Sequence, residues 1–155
     1  MRPEIQTVLD DYHTRTTQEN ALMDSLSSEQ FDQRIDEFLL PIGPQSGQLM
    51  NLLIKQAEAK VVVEVGASYG YSTIWFAEAV SETGGKVISI ELSEAKQAYA
   101  KKQLQKAGLL DYVEFKTGDA LQVLSELKGP IDFMLLDLWK RFYIPCFDLA
   151  YPKLA

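Results

Sequence analysis

The residues of this sequence best placed to do chemistry are acidic. Glu64 interrupts the apolar run Val61-Val-Val-Glu-Val65, Glu91 closes Val87-Ile-Ser-Ile90, Asp119 follows Gly118, and Asp137 stands three residues before Lys140. Carboxylates so placed accept hydrogen bonds from ligand hydroxyls or amines and balance a cation. Gly66 and Gly70 bracket the turn after the first run, supplying backbone freedom where a ligand can approach the main chain. Tyr71 and Ser72 then open a helix whose free N–H groups face the same crevice, so the segment reads as a nucleoside-binding turn.

For these groups to meet, they must share one edge of one sheet. Strand-like runs at 61–65, 86–91, 113–116 and 131–137 alternate with helical stretches near 72–81, 94–107 and 120–127. That rhythm predicts an α/β fold of repeated βαβ units, with a ligand crevice at the carboxyl ends of parallel strands. Upstream, Ile5, Val8, Leu9 and Tyr12, and then Phe31, Ile35, Phe38 and Leu39, recur at helical spacing, and Ser27 with Gln30 has the form of a capping box. The breaker cluster Pro41-Ile-Gly-Pro-Gln-Ser-Gly47 precedes a helix predicted from about Gln48 to Ala59. The expected organisation is a single domain over 1–155, with an N-terminal helical part at 1–59 and a βαβ core at 60–155.

At 155 residues and 46% hydrophobic, the chain can bury a sizeable core. A formal charge of -7 opposes a phosphate-tracking surface, so no nucleic-acid partner is expected and a small neutral or cationic ligand fits better. The start lacks the apolar core of a signal peptide and no run is long and uncharged enough for a membrane span, so no membrane partner and a cytoplasmic location are expected. His13, the sole histidine, is expected on a solvated helix face. Cys146, the sole cysteine, is expected to be a packed side chain.

Two ligand classes compete for the glycine turn. Glu91 lies 21 residues after Gly70, where a carboxylate can accept from both hydroxyls of a ribose. A dinucleotide fingerprint, G-x-G-x-x-G, needs its second glycine for the pyrophosphate, whereas this turn carries Ser68 there and has G-x-x-x-G spacing. An adenosyl ligand with a positive charge and no phosphate suits the turn and the carboxylates, and S-adenosylmethionine meets both conditions. Taken singly, Glu91 also reads as a solvated strand end, Asp119 as a helix cap, Tyr69 and Tyr71 as packing residues, and Lys140 as an exposed lysine. Their joint occurrence at successive strand ends is the signal.

From about Ile42 to Pro152 these residues resemble the class I S-adenosylmethionine-dependent O-methyltransferases, in particular the catechol and caffeoyl-CoA group. Val62-Val-Glu-Val-Gly-Ala-Ser-Tyr-Gly-Tyr-Ser72 is similar to the group's first motif, Val87-Ile-Ser-Ile-Glu91 to its ribose-binding strand, and Thr117-Gly-Asp-Ala120 to its adenine-side turn. Ile42-Gly43 and Gly47-Gln48 resemble the upstream segment that closes over the cofactor, and Asp137-Leu-Trp-Lys-Arg-Phe-Tyr143 resembles the catechol enzyme's Asp-x-Trp-Lys-x-x-Tyr.

The resemblance implies a Rossmann-like sheet with N-terminal helices. It implies cofactor contacts at Ile42, Glu64, Gly66, Ala67, Ser68, Tyr71, Ser72, Glu91, Leu92, Gly118, Asp119, Ala120 and Trp139. Asp137 would be a metal ligand for magnesium or calcium and Lys140 the general base. The implied reaction moves the sulfonium methyl to a hydroxyl of a small aromatic, by in-line displacement with proton removal from the acceptor oxygen. A divalent cation would act there as Lewis acid and template.

The family continues into a fifth strand ending in an Asp-Asn pair and then a hairpin, and neither occurs in these 155 residues. The expectation is therefore a truncated sheet lacking the family's last strands, with one of three metal ligands present and Phe133–Leu136 exposed as an apolar edge. The rival expectation is a catalytically incompetent cofactor-binding or dimerisation module, a homodimer being one form of it.

Overall fold

Val61–Val65 forms the central strand, β1, because both of its faces are covered. Val62 packs into one helical layer and Val63 and Val65 into the other. The computed structural model describes all residues from Met1 to Ala155. β2 (Lys86–Glu91), β3 (Val113–Thr117) and β4 (Phe133–Leu136) join β1 in a parallel sheet of order β3-β2-β1-β4. Val63 pairs with Ile88 on one side and Met134 on the other. The chain thus runs outward from β1 through β2 to β3, then returns to the opposite side for β4. Such a reversal opens a crevice at the carboxyl ends of the strands beside β1.

The chain has seven α-helices: α1 (Pro3–Met23), α2 (Ser28–Arg34), α3 (Pro44–Gln56), α4 (Tyr71–Thr83), α5 (Glu94–Lys106), α6 (Ala120–Glu126) and α7 (Tyr143–Ala150). α4 is buried from Tyr71 to Val80, since it lies under both α1 and α3 as well as on the sheet. Ile5, Val8, Leu9 and Tyr12 of α1 share this core with Ile54, Val62, Phe76 and Val87. On the opposite face Leu124, Ile131 and Cys146 pack against Val63, Val65 and Ile90, so Cys146 is a buried packing residue.

The capping box forms at the start of α2. Gln30 N–H donates to the Ser27 hydroxyl at 3.2 Å and Ser27 N–H donates to Gln30 Oε1 at 2.9 Å. α3 begins at Pro44 rather than near Gln48, because proline is well suited to a helix's first turn, where its missing N–H leaves nothing unpaired. Gly47 lets α3 lie close on α4, since a Cβ there would sit 2.5 Å from the Trp75 indole. Between the same helices Asn51 Nδ2 donates to Glu78 Oε2 at 2.5 Å and Lys55 Nζ lies 2.9 Å from Glu78 and 2.8 Å from Glu82, so buried Glu78 is paired.

One expectation needs correction, and another holds in part. His13 is half-buried, with Nε2 2.8 Å from the Tyr71 hydroxyl, because α1 packs on α4 instead of standing free in solvent. β4 is the sheet's outer strand and pairs only with β1, as expected, although its four side chains are half-buried. Phe133 meets Phe76 edge-on at 5.9 Å, and Ile131, just before the strand, is bridged to Leu154.

Candidate cofactor site

The turn after β1 is drawn against the end of β2. Gly66 N–H and Ala67 N–H both donate to the Ile90 carbonyl, at 2.9 and 3.1 Å. Gly66 has φ +88°, and a Cβ on it would come within 2.1 Å of the Asp137 carbonyl oxygen, so only glycine allows β1 and the end of β4 to approach this closely. Gly70, at φ +90°, precedes α4, and a Cβ there would strike Ala100 of α5. The turn is thereby held beside the end of β2, where Gly66 and Ser68 face the crevice.

There Glu91 is gripped on both oxygens. Ser68 N–H donates to Oε2 at 2.7 Å and Ser93 N–H donates to Oε1 at 2.9 Å. Two fixed donors leave the remaining lone pairs aimed outward, an arrangement that suits a vicinal diol. Asp119 caps α6 by accepting from Gln122 N–H at 3.0 Å, so its capping role is real, and its second oxygen takes no part in that bond.

A crevice of about 490 Å³ runs across these ends. Gly66, Ser68, Glu91, Leu92, Gly118, Asp119, Ala120, Asp137 and Trp139 all line it. Leu92 and Trp139 are 73% and 60% exposed, two open apolar side chains in a place where a flat base could be flanked. Four strand ends thus supply one cavity.

Other predicted residues stand outside that lining. Ala67 is buried within the turn, and Ile42 packs on the core. The Tyr71 side chain turns toward α1, meeting Tyr12 edge-on at 5.6 Å as well as His13. Lys140 is exposed in a short turn, Lys140–Phe142, beyond Trp139.

Glu64 is fully buried behind the turn. Its carboxylate accepts from the Ser72 hydroxyl and, at 2.5 Å, from the Thr73 hydroxyl. Burial raises its carboxyl to about 7, the two hydroxyls oppose that rise, and the charge of Asp137 adds to it. Asp137 keeps solvent access on one side, yet desolvation also pushes its carboxyl up. As a metal centre the donor set does not suffice, since no group of three or more His, Cys, Asp or Glu side chains is arranged to hold an ion. Hard cations need several oxygen ligands, and Asp137 supplies one carboxylate.

The upstream segment that lines the crevice is Ile35–Leu40, ahead of the Ile42-Gly43 and Gly47-Gln48 pairs expected to close over the cofactor. Ile35, Asp36, Phe38, Leu39 and Leu40 line the cavity, whereas Gly47 is engaged in helix packing. The sequence offered a hint in the apolar run Phe38-Leu-Leu40 between a capped helix and Pro41. The contacts that hold this strap come from distant residues and leave no local pattern.

A family model for O-methyltransferases matches residues 13–151. The chain belongs to the O-methyltransferase family. Among curated proteins, it is 34% identical over 115 residues to a catechol O-methyltransferase of Niastella koreensis, covering 72% of this chain and 52% of that one. It is 33% identical over 112 residues to caffeoyl-CoA O-methyltransferase 2 of Populus trichocarpa, covering 68% and 45%. Among solved structures, the O-methyltransferase TomG of Streptomyces achromogenes, crystallised in complex with SAM, aligns with TM-score 0.70 and 28% identity over 75% of this chain and 53% of its own. This O-methyltransferase chain spans about half the length of the curated relatives it matches.

Proposed function

We propose that this chain binds S-adenosylmethionine across the ends of β1 to β4 and forms the cofactor-binding part of an O-methyltransferase acting on a small catechol-like or caffeoyl-CoA-like aromatic. The observation that carries the reading is the Glu91 carboxylate, fixed by Ser68 and Ser93 at the rim of a cavity whose other walls are the glycine turn, Asp119 and Trp139. Glu91 would take the ribose hydroxyls, Leu92 and Trp139 would flank the adenine, and Asp119 would face its amino group. The acidic surroundings suit a sulfonium and an ammonium better than a diphosphate.

Methyl transfer needs the acceptor oxygen about 3 Å from the methyl carbon and in line with the C–S bond. As that bond breaks, the acceptor proton must leave, and Lys140, when present as the neutral amine, is the residue proposed to take it. Asp137 would contribute one ligand to a divalent cation, but the donor set within these residues makes no complete site, so no metal-borne step is assigned to the chain. A cytoplasmic location and a homodimer are further parts of the proposal. No helix is long and apolar enough to cross a membrane.

The incomplete donor set favours a second reading, a module that binds the cofactor without turning it over. Labelled methyl transfer from S-adenosylmethionine to a catechol, with and without magnesium, separates the two. Labelled product formed by the chain supports the first, and cofactor binding with no product under either condition supports the second.

A further inference from the structure

Arg15 lies on α1, and the cofactor reading gives it no part. Its guanidinium nonetheless touches the elements that wall the crevice. Nε donates to Glu19 Oε1 at 2.7 Å, and Nη2 donates to the Glu37 carbonyl in the strap at 3.1 Å. The same planar group lies 4.4 Å from the ring centre of Tyr69, in the glycine turn, and 5.0 Å from that of Tyr99, on α5. Glu19 extends the link, because its other oxygen accepts from Leu39 N–H at 2.8 Å. Tyr69 closes it by donating its hydroxyl to the Asp36 carbonyl at 3.1 Å.

Burial of Phe38 and Leu39 seats the strap on the core, and these polar contacts fix where its backbone lies over the crevice. From Phe38 to Gly43 the chain belongs to no helix or strand, so side chains must hold it in place. The Lys96–Asp36 ion pair, 3.3 Å long, also crosses the mouth, but Asp36 is 88% exposed and such pairs contribute little. Arg15 and Glu19 are far less exposed, at 26% and 14%, so their contacts are less screened. Only a rigid planar donor can stack on Tyr69 and still reach both Glu19 and the Glu37 carbonyl, which lysine cannot do.

We infer that Arg15 is a positioning residue for the crevice: by joining Tyr69 to the strap at Glu37 and, through Glu19, at Leu39, it fixes Ile35–Leu40 over the bound ligand and sets how fast that ligand leaves. The inference rests on the adenosyl reading of the crevice. Loss of the clamp frees the strap without disturbing the sheet, so it acts on dissociation more than on association.

Surface plasmon resonance with the immobilised chain and S-adenosylhomocysteine tests this, using wild type, Arg15→Lys, Arg15→Met and Lys55→Met. Both Arg15 variants should release ligand about tenfold faster with much smaller changes in association rate. Lys55→Met removes the pairs with Glu78 and Glu82 away from the crevice, and should lower the melting temperature while keeping the wild-type dissociation rate. Should Arg15→Met fail to fold, Glu19→Gln is expected to shift dissociation in the same direction. Arg15 variants that dissociate at the wild-type rate, or a Lys55→Met variant that accelerates release as much as they do, would overturn the inference alone. A wild-type chain that binds nothing removes the adenosyl reading and this inference together.

Discussion

The Ser68 N–H donates to Oε2 of Glu91 at 2.7 Å, tying the glycine turn after β1 to the end of β2. One carboxylate therefore sets both the shape of the turn and the acceptor offered to a ligand hydroxyl.

Replacing it should damage binding more than folding. Glu91→Ala is expected to weaken S-adenosylhomocysteine binding about 10- to 100-fold, the range for losing charge-assisted hydrogen bonds. Glu91→Gln keeps one acceptor oxygen but turns an amide toward either the Ser68 or the Ser93 donor, so its loss should be intermediate. Calorimetric affinities for the three proteins give the order, and an unchanged affinity in Glu91→Ala would contradict the assigned role.

The glycine turn allows a paired test. Gly66 and Gly43 have nearly the same φ, +88° and +85°, but a Cβ at Gly66 meets the Asp137 carbonyl at 2.1 Å while one at Gly43 meets nothing within 4 Å. Gly43→Ala should cost only the conformational penalty of its φ +85°, ψ 160° backbone, about 1–3 kcal/mol. Gly66→Ala must also push β1 and β4 apart, and should exceed about 3 kcal/mol or prevent folding. Chemical denaturation of the two variants measures the difference, and equal losses would mean that strand approach is not constrained there.

Glu64 predicts a pH dependence. Its folded carboxyl is raised from an ordinary 4.5 to about 7, so between those values the unfolded chain releases a proton that the folded chain keeps. Stability from this group is therefore greatest below pH 4.5, falls as the pH rises toward 7, and is level above that. Glu64→Gln removes the titration, and its stability relative to wild type should rise over the same interval. Urea unfolding at a series of pH values checks this, and a constant difference between the two proteins would contradict the raised value.

Much of the sheet was legible because its strands are short apolar runs with sharp ends. β1 and β2 occupy the predicted residues 61–65 and 86–91, each stopped by a glycine or a charge. β4 is shorter than the predicted 131–137. Asp132 instead accepts from Lys60 N–H and Val61 N–H at 2.8 Å each, and Ile131 N–H donates to Lys153. Those partners lie far away in sequence, so no local pattern announces them. The strand-end residues of the crevice were readable for the same reason as the strands. Arg15, Glu19 and the Ile35–Leu40 strap were not, because they meet only after α1 and α5 have folded against the turn.

Residues from four strand ends converge on one pocket, which is proposed to take a positively charged adenosyl compound. The decisive experiment is calorimetric titration of the folded chain with S-adenosylmethionine, with NADH as the competing ligand class. One-to-one binding of the adenosyl compound with a raised melting temperature, and no response to NADH, is the expected result. Absence of both heat and thermal shift at millimolar S-adenosylmethionine, or preferential binding of NADH, would contradict it.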